Sequence, residues 1–341
     1  MKKSLVLLAI CLLLLQIATA QTQKELYNQH VQAAASLYEN KDFQNAAIEY
    51  GKAFSVNGGL GKVLDKYNAA CCWSRVNIAD SAFKLLYQIA TKGKFDDYNL
   101  ISTDSDLVNL HGDSRWQPIL DSVLKNQKEA EAKMNMPLKN ELDSIYNNDQ
   151  PPRVVYMNLL KQSGGKKTPQ IDSILTVIEH NDSIDIIKVE KILDTYGWLG
   201  ADVVGQRGNL VLWLVIQHSD LAIQKKYQPM MEDAVKKGNL NPANYAWTID
   251  RILVNEGEKQ IYGSQLKMNP LDSSKFYVTP MIDPDNVDKR REEVDLPPIA
   301  GYVKHFGINW NVEEYKKNLP KYEEWSKESR EKWEKQNKAS K

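Results

Sequence analysis

The 341 residues predict a mainly α-helical protein: α-hairpin repeats come first, followed by a mostly helical domain that carries one β-hairpin. Three observations predict it. Small and large apolar residues recur at helical spacing over residues 24–90, with short polar turns between them. Leu210–Ile216 is apolar at every position, which suits a buried helix, since a surface helix shows only a stripe. Gln260–Met268 and Phe276–Ile282 alternate like two strands about the turn residues Asn269–Ser274, and Pro280 suits an edge strand.

The chain opens with Met1-Lys2-Lys3, an apolar run from Leu5 to Leu15, and Ala18-Thr19-Ala20. A basic start, an apolar centre and a small-x-small end, in that order, predict a signal peptide over residues 1–20, cleaved after Ala20. The expected location is therefore periplasmic or secreted. The run is shorter than the roughly 20 apolar residues that span a bilayer. Cys11 lies within it after Ile10, where lipoprotein signals resemble one another in carrying a small residue, so no lipid anchor is expected. No later stretch is long enough to cross a membrane. Removal of residues 1–20 takes away two lysines and leaves 42 basic against 44 acidic side chains. A nearly neutral chain without a basic block is a poor partner for nucleic acid. Cys71 and Cys72 survive processing, but adjacent cysteines strain disulfide geometry. They read as two small core residues on a helix.

In residues 24–57, Ala34, Leu37, Tyr38, Ala46, Tyr50 and Ala53 mark two helices about the turn Asn40-Lys41-Asp42. The alanines allow close approach and the larger residues fill the space. A second unit repeats the scheme with Ala69, Ala70 and Trp73, a turn at Asn77, then Ala82, Leu86 and Ile89. Ala46 and Ala82 lie 36 residues apart, and Gly58-Gly59-Leu60-Gly61 absorbs the excess over a repeat of about 34 residues. This pattern resembles tetratricopeptide repeats. Tyr67–Cys72, Asp104-Ser105-Asp106-Leu107 and Arg115-Trp116 resemble the cap that ends many bacterial arrays of them, with Asp104 or Asp106 suited to a helix N-cap. The resemblance covers residues 23–125 and implies a groove for a protein or peptide, or alternatively a folding support for the second domain. Residues 126–137 read as a solvated helical linker, residues 138–308 as the second domain, and residues 309–341 as a charged, aromatic helical tail. In that tail Tyr322, Trp325, Ser329 and Trp333 follow helical spacing, as a stripe packed on the body or an exposed partner helix, with Asn337–Lys341 frayed.

Four polar groups stand out in the second domain. They are Asp149-Gln150 with Arg153; Gln217-His218-Ser219-Asp220; Asp250-Arg251; and Gln260, Tyr262, Gly263 and Gln265 on the expected first strand. Asp250 shares a helix face with Ala246 and Leu253, and a carboxylate there needs a partner. Arg153 or His218 suits Asp250; Asp149 or Asp220 suits Arg251. His218 ends an apolar helix, as a capping residue or as a general acid or base. Asp220 equally suits the N-cap of the next helix. Gly263 suits close approach of a ligand or another backbone.

In that order these motifs resemble a bacterial domain family of unknown function, with Tyr196-Gly197-Trp198, Val204-Gly205, Arg290-Arg291 and Leu296-Pro297-Pro298 fitting the same pattern. The resemblance covers residues 138–306 and implies no activity. Zinc helices, nucleophile elbows and phosphate loops are missing from the sequence. One His among scattered Asp residues is a weak metal set, so neither a metal nor another cofactor is expected. The sequence supports two functions. One is an exported interaction protein whose repeats hold a peptide or protein and whose second domain is structural or binds a ligand. The other is an envelope hydrolase or transferase. It uses His218 as acid or base, Asp250 to orient it, Arg251 or Arg153 to hold an anion, and Tyr262 and Gln265 to position substrate, with Asp149, Asp220 and Gln260 in support.

Overall fold

Helices dominate the computed structural model, which describes residues 23–339. The expected signal peptide over residues 1–20 lies outside the described residues, and the expected frayed end, Asn337–Lys341, falls outside the described side chains. The chain divides into two units, Met1–Ala132 and Lys133–Lys341.

In the first unit a helix over residues 23–39 (α1) turns at residues 40–42 into α2, Phe43–Val56. Asp42 caps α2 by accepting the Asn45 N–H. Ala34, Ala46 and Ala53 are fully buried, which brings the helices together, and Tyr27, Tyr50 and Phe54 complete their core. The same construction recurs in α3, Val63–Arg75, and α4, Ala79–Thr91. A short helix, α5, Tyr98–Thr103, and a 3-10 segment, Ser105–Leu110, lead to α6, Trp116–Glu131.

The two acidic residues of the expected cap separate in role. Asp104 caps the 3-10 segment through the Asp106 N–H at 2.9 Å and accepts the Tyr67 hydroxyl at 2.7 Å. Asp106 instead accepts the Tyr38 hydroxyl at 2.5 Å and lies 3.4 Å from Arg75. Cys71 and Cys72 are buried free thiols, core residues of α3, and Cys71 donates to Asp104 Oδ2 at 3.6 Å. Burial pushes the Cys72 thiol up to about 12 and, with the Asp104 charge, the Cys71 thiol higher still. Neither is a ready nucleophile at neutral pH. The expected linker differs from the structure: α6 runs to Glu131, and Asn126 is buried, donating to Ala90 O at 2.7 Å and Phe95 O at 2.9 Å. Those bonds satisfy carbonyls at the end of α4 and beyond it, so Asn126 belongs to the core, while residues 127–137 are half-buried or exposed.

The second unit opens with two long helices, α7, Met136–Gln162, and α8, Pro169–Tyr196. Next come α9, Ala201–His218, α10, Leu221–Lys236, and α11, Pro242–Glu256. Leu142 and Ile145 of α7, Val189 and Leu193 of α8, Val211, Leu212, Val215 and Ile216 of α9 and Met231 of α10 share one core. Gly208 permits the closeness of α7 and α9, because a Cβ there would stand 3.2 Å from Leu142 Cδ1. Asn241 caps α11 and Gly257 ends it in the left-handed conformation, as Asn241-Pro242 and Gly257 predict.

The hairpin is shorter than predicted. Strands β1, Leu266–Asn269, and β2, Asp272–Val278, pair antiparallel with Leu266 opposite Val278. Residues 260–265 are not strand; only Gln260 makes a bridge, to Met281. Two short helices follow, α12, Val287–Glu293, and α13, Ile299–Lys304, and the tail forms α14, Val312–Ala339. Tyr322 and Trp325 of α14 lie 5.1 and 5.2 Å from the Tyr277 ring of β2. The tail stripe therefore packs on the hairpin, although Ser329 is exposed and the Trp333 side chain lies outside the described residues.

Candidate functional site

The polar residues singled out in sequence fall into two clusters of different character. The first surrounds Asp250, which is fully buried in α11. Its carboxylate accepts the backbone N–H groups of Ile261 at 2.7 Å, Tyr262 at 3.0 Å and Ser264 at 2.9 Å. That capture is why residues 260–265 curl into a loop and cannot run on as a strand. Gly263, at φ +69°, makes the bend; a Cβ there would stand 2.6 Å from Ile299 Cδ1. Most of the loop's carbonyls are taken as well. Arg290 Nε donates to Ile261 O at 2.9 Å, Arg291 Nη1 to Tyr262 O at 2.7 Å, and the Tyr302 hydroxyl to Ser264 O at 2.7 Å. Gln260 donates to Gln265 O and Thr279 O and accepts the Gln265 N–H. Burial pushes the Asp250 carboxyl up, against the pull of its three N–H donors.

This corrects the expected pairing of Asp250 with Arg153 or His218. It also sets Asp250, Gln260, Tyr262 and Gln265 in a satisfied network that holds a loop. Arg251 takes neither Asp149 nor Asp220 as partner. Its Nη1 donates to Gln217 O at 2.7 Å, one of the carbonyls left open where α9 ends, and Gln224 Nε2 donates to the same oxygen at 3.1 Å. Asp220 caps α10 through the Ile223 N–H at 2.9 Å.

The second cluster lies where α7, α8 and the end of α9 meet. Asp149, 4% exposed, projects from α7 just before Pro151 and Pro152. Proline cannot donate to the helix ladder. The Asn148 carbonyl, four residues before Pro152, accepts instead from Asn181 Nδ2 of α8 at 2.8 Å. Next to that tie, Arg153 Nε donates to Asp149 Oδ1 at 2.9 Å, and Arg153 Nη2 bridges Asp149 and Asp182. His218 Nδ1 lies at ion-pair distance, 3.5 Å, from Asp149 Oδ1 and has no hydrogen-bond partner among the described residues. Burial alone would raise the Asp149 carboxyl; the His218 imidazole and the Arg153 guanidinium overcome it and hold it well below the usual carboxylate range. Asp185, one turn from Asp182, is 2% exposed and its Oδ2 is unpartnered. Burial pushes its carboxyl up, Lys188 pulls it back, and the Asp149 charge adds to the rise.

Unsatisfied buried polar atoms are rare in folded proteins and mark strain, chemistry or a bound group. Among the described residues, two such atoms, His218 Nδ1 and Asp185 Oδ2, belong to this cluster; the Gln217 side chain turns instead to Thr248 of α11, whose hydroxyl donates to Gln217 Oε1 at 2.8 Å. The cluster also opens to solvent. A cleft of about 290 Å³ is lined by Glu179, Asp182, Ser183 and Ile186 of α8, Val215 and His218 of α9, and Ser219, Asp220 and Ile223 beyond. Asp149, Asp182 and His218 each offer one ligand atom, all within 4.8 Å of one another. The sequence reading expected no metal, because one His among scattered Asp residues is a weak set; 33 and 36 residues separate these three side chains along the chain. In the first unit, Cys71, Asp104 and Asp106 also converge, but there every donor is taken: Tyr38, Tyr67 and Arg75 hold the carboxylates, and the Cys71 thiol, pushed up by burial, donates to Asp104 at 3.6 Å.

Sequence reading missed Asp182 and Asp185. The signal used for Asp250 was present at Asp185 as well: Ile178 precedes it by seven residues and Val189 follows by four, so it is a carboxylate on an apolar helix face.

The fold and this cluster define a helical domain in which a polar cleft stands beside a closed structural network. The chain belongs to a family of unknown function, DUF6624, whose model matches residues 138–312. No curated protein and no solved structure shows significant similarity to the chain.

Proposed function

We propose that this is an exported protein whose second unit binds a small ligand in the cleft beside His218, while its helix–turn–helix repeats hold a protein or peptide. The observation that carries the ligand reading is the convergence of Asp149, Arg153, Asp182 and His218, with His218 Nδ1 lacking a hydrogen-bond partner, at a solvent-reachable cleft that Asp182 and His218 line. Hydroxyls of Ser183 and Ser219 and aliphatic groups of Ile186, Val215 and Ile223 line the same cleft, so it suits a ligand polar on one side and apolar on the other. The export reading rests on the composition of residues 1–20. The repeat reading rests on the small-and-large pattern of residues 23–125.

A second reading, acid–base catalysis, is favoured by one observation. Asp149 is held low and Asp185 is pushed up in the same cluster, with His218 between the cleft and Asp149. Neighbouring groups driven apart in this way are the usual arrangement of acid and base.

A thermal-shift screen of amino acids, amines, sugars, short peptides and phosphate esters tests both. At least one class should stabilise the wild-type chain, and His218→Gln and Asp182→Asn should remove that response while keeping the helical circular dichroism. A response that survives both substitutions would place the ligand elsewhere. If a hit is also turned over, loss of turnover with retained binding in His218→Gln favours the catalytic reading.

A further inference from the structure

The cleft's polar wall carries a more specific inference, which rests on the reading of this cleft as a ligand site. We propose that Asp149, Asp182 and His218 bind a divalent first-row transition-metal ion. Their ligand atoms lie within 4.8 Å of one another, close enough for one ion to draw them together. Two carboxylates and one imidazole are a donor set that Mn²⁺, Fe²⁺ and Zn²⁺ share, whereas Mg²⁺ avoids imidazole and keeps its water. The imidazole is available, because His218 Nδ1 is buried, faces Asp149 at 3.5 Å and has no hydrogen-bond partner. The unpartnered Oδ2 of Asp185 lies in the same buried wall, one helical turn from Asp182.

Arg153 gives the inference its second support and its cost. Its guanidinium bridges the same two carboxylates that the ion would link. The position therefore already requires positive charge between Asp149 and Asp182, and Arg153 supplies it in the metal-free chain. The ion must displace Arg153 from those oxygens, so arginine and metal compete. Asp182 and His218 also line the cleft, so the ion would face it with coordination positions left for a ligand, as open metal sites do.

Isothermal titration of the tag-free chain with ZnCl₂, and with MnCl₂ followed by electron paramagnetic resonance, tests this. One saturable ion per chain is expected, with MgCl₂ failing to compete. Asp182→Asn and His218→Gln should each weaken binding at least as much as the roughly 10–100-fold typical of outer-shell partners. Arg153→Met should leave binding intact or tighten it. Circular dichroism establishes that each variant is folded. Binding that survives both ligand substitutions overturns the assignment, as does weaker binding by Arg153→Met. Absence of saturable binding by the wild type and by Arg153→Met overturns the metal whatever the ligand screen returns. Saturable, His218-dependent Zn²⁺ binding beside an empty screen would overturn only the small-molecule reading.

Discussion

At the residue scale, a carboxylate on an apolar helix face has two outcomes in this chain. Asp250 is completely paired, by backbone N–H groups that no side-chain pattern announces. Asp185 is left with an open oxygen. Burial of either carboxylate is costly, and only pairing offsets it. Replacing Asp250 with alanine strands three N–H groups in the interior, each worth about 1–3 kcal/mol when unsatisfied. Asp250→Ala should therefore lower the stability of the second unit by about 3 kcal/mol or more, measured by urea unfolding. The sequence made Asp250 stand out, because its helix position needs only periodicity. Its partner was not legible, since a main-chain donor has no residue type. His218 was legible because it ends an apolar helix, and Arg153 because it follows Asp149-Gln150, while Asp182 is a polar residue on a half-exposed face and carries no such mark.

At the element scale, most helices follow from local chemistry. Asn241-Pro242 opens α11 and Gly257 closes it; Asp220 opens α10. The predicted long strands failed because alternation alone does not distinguish a strand from a loop whose N–H groups turn inward. Local reading also gave no hint that α7 continues through Pro151 and Pro152. It continues because the carbonyl freed by Pro152 has a partner on α8. Asn181→Ala removes that partner and should destabilise the α7–α8 pair by about 1 kcal/mol. Hydrogen exchange would show it as faster exchange confined to both helices near Asn148 and Asn181. Uniform acceleration through the second unit would instead mean that Asn181 supports the whole core.

At the scale of the whole molecule, the mainly helical class with one hairpin was legible throughout, because each long helix carries an apolar stripe of its own. The site was legible only in part. Asp149, Asp182 and His218 belong to three helices, and no spacing rule brings together residues more than thirty positions apart. The central claim is that the two polar clusters of the second unit differ in kind. The Asp250 cluster is closed on itself, whereas the His218 cluster is the one we propose to hold a ligand. Side chains kept for packing cost stability when altered, and those kept for chemistry usually do not. The most direct test is the urea unfolding free energy of the second unit in His218→Gln. A value within about 1 kcal/mol of the wild type is predicted, since Arg153 still pairs Asp149 when the His218 imidazole is gone and His218 Nδ1 gives up no hydrogen bond. A loss equal to that of Asp250→Ala would contradict the account and make His218 one more fold-maintaining residue.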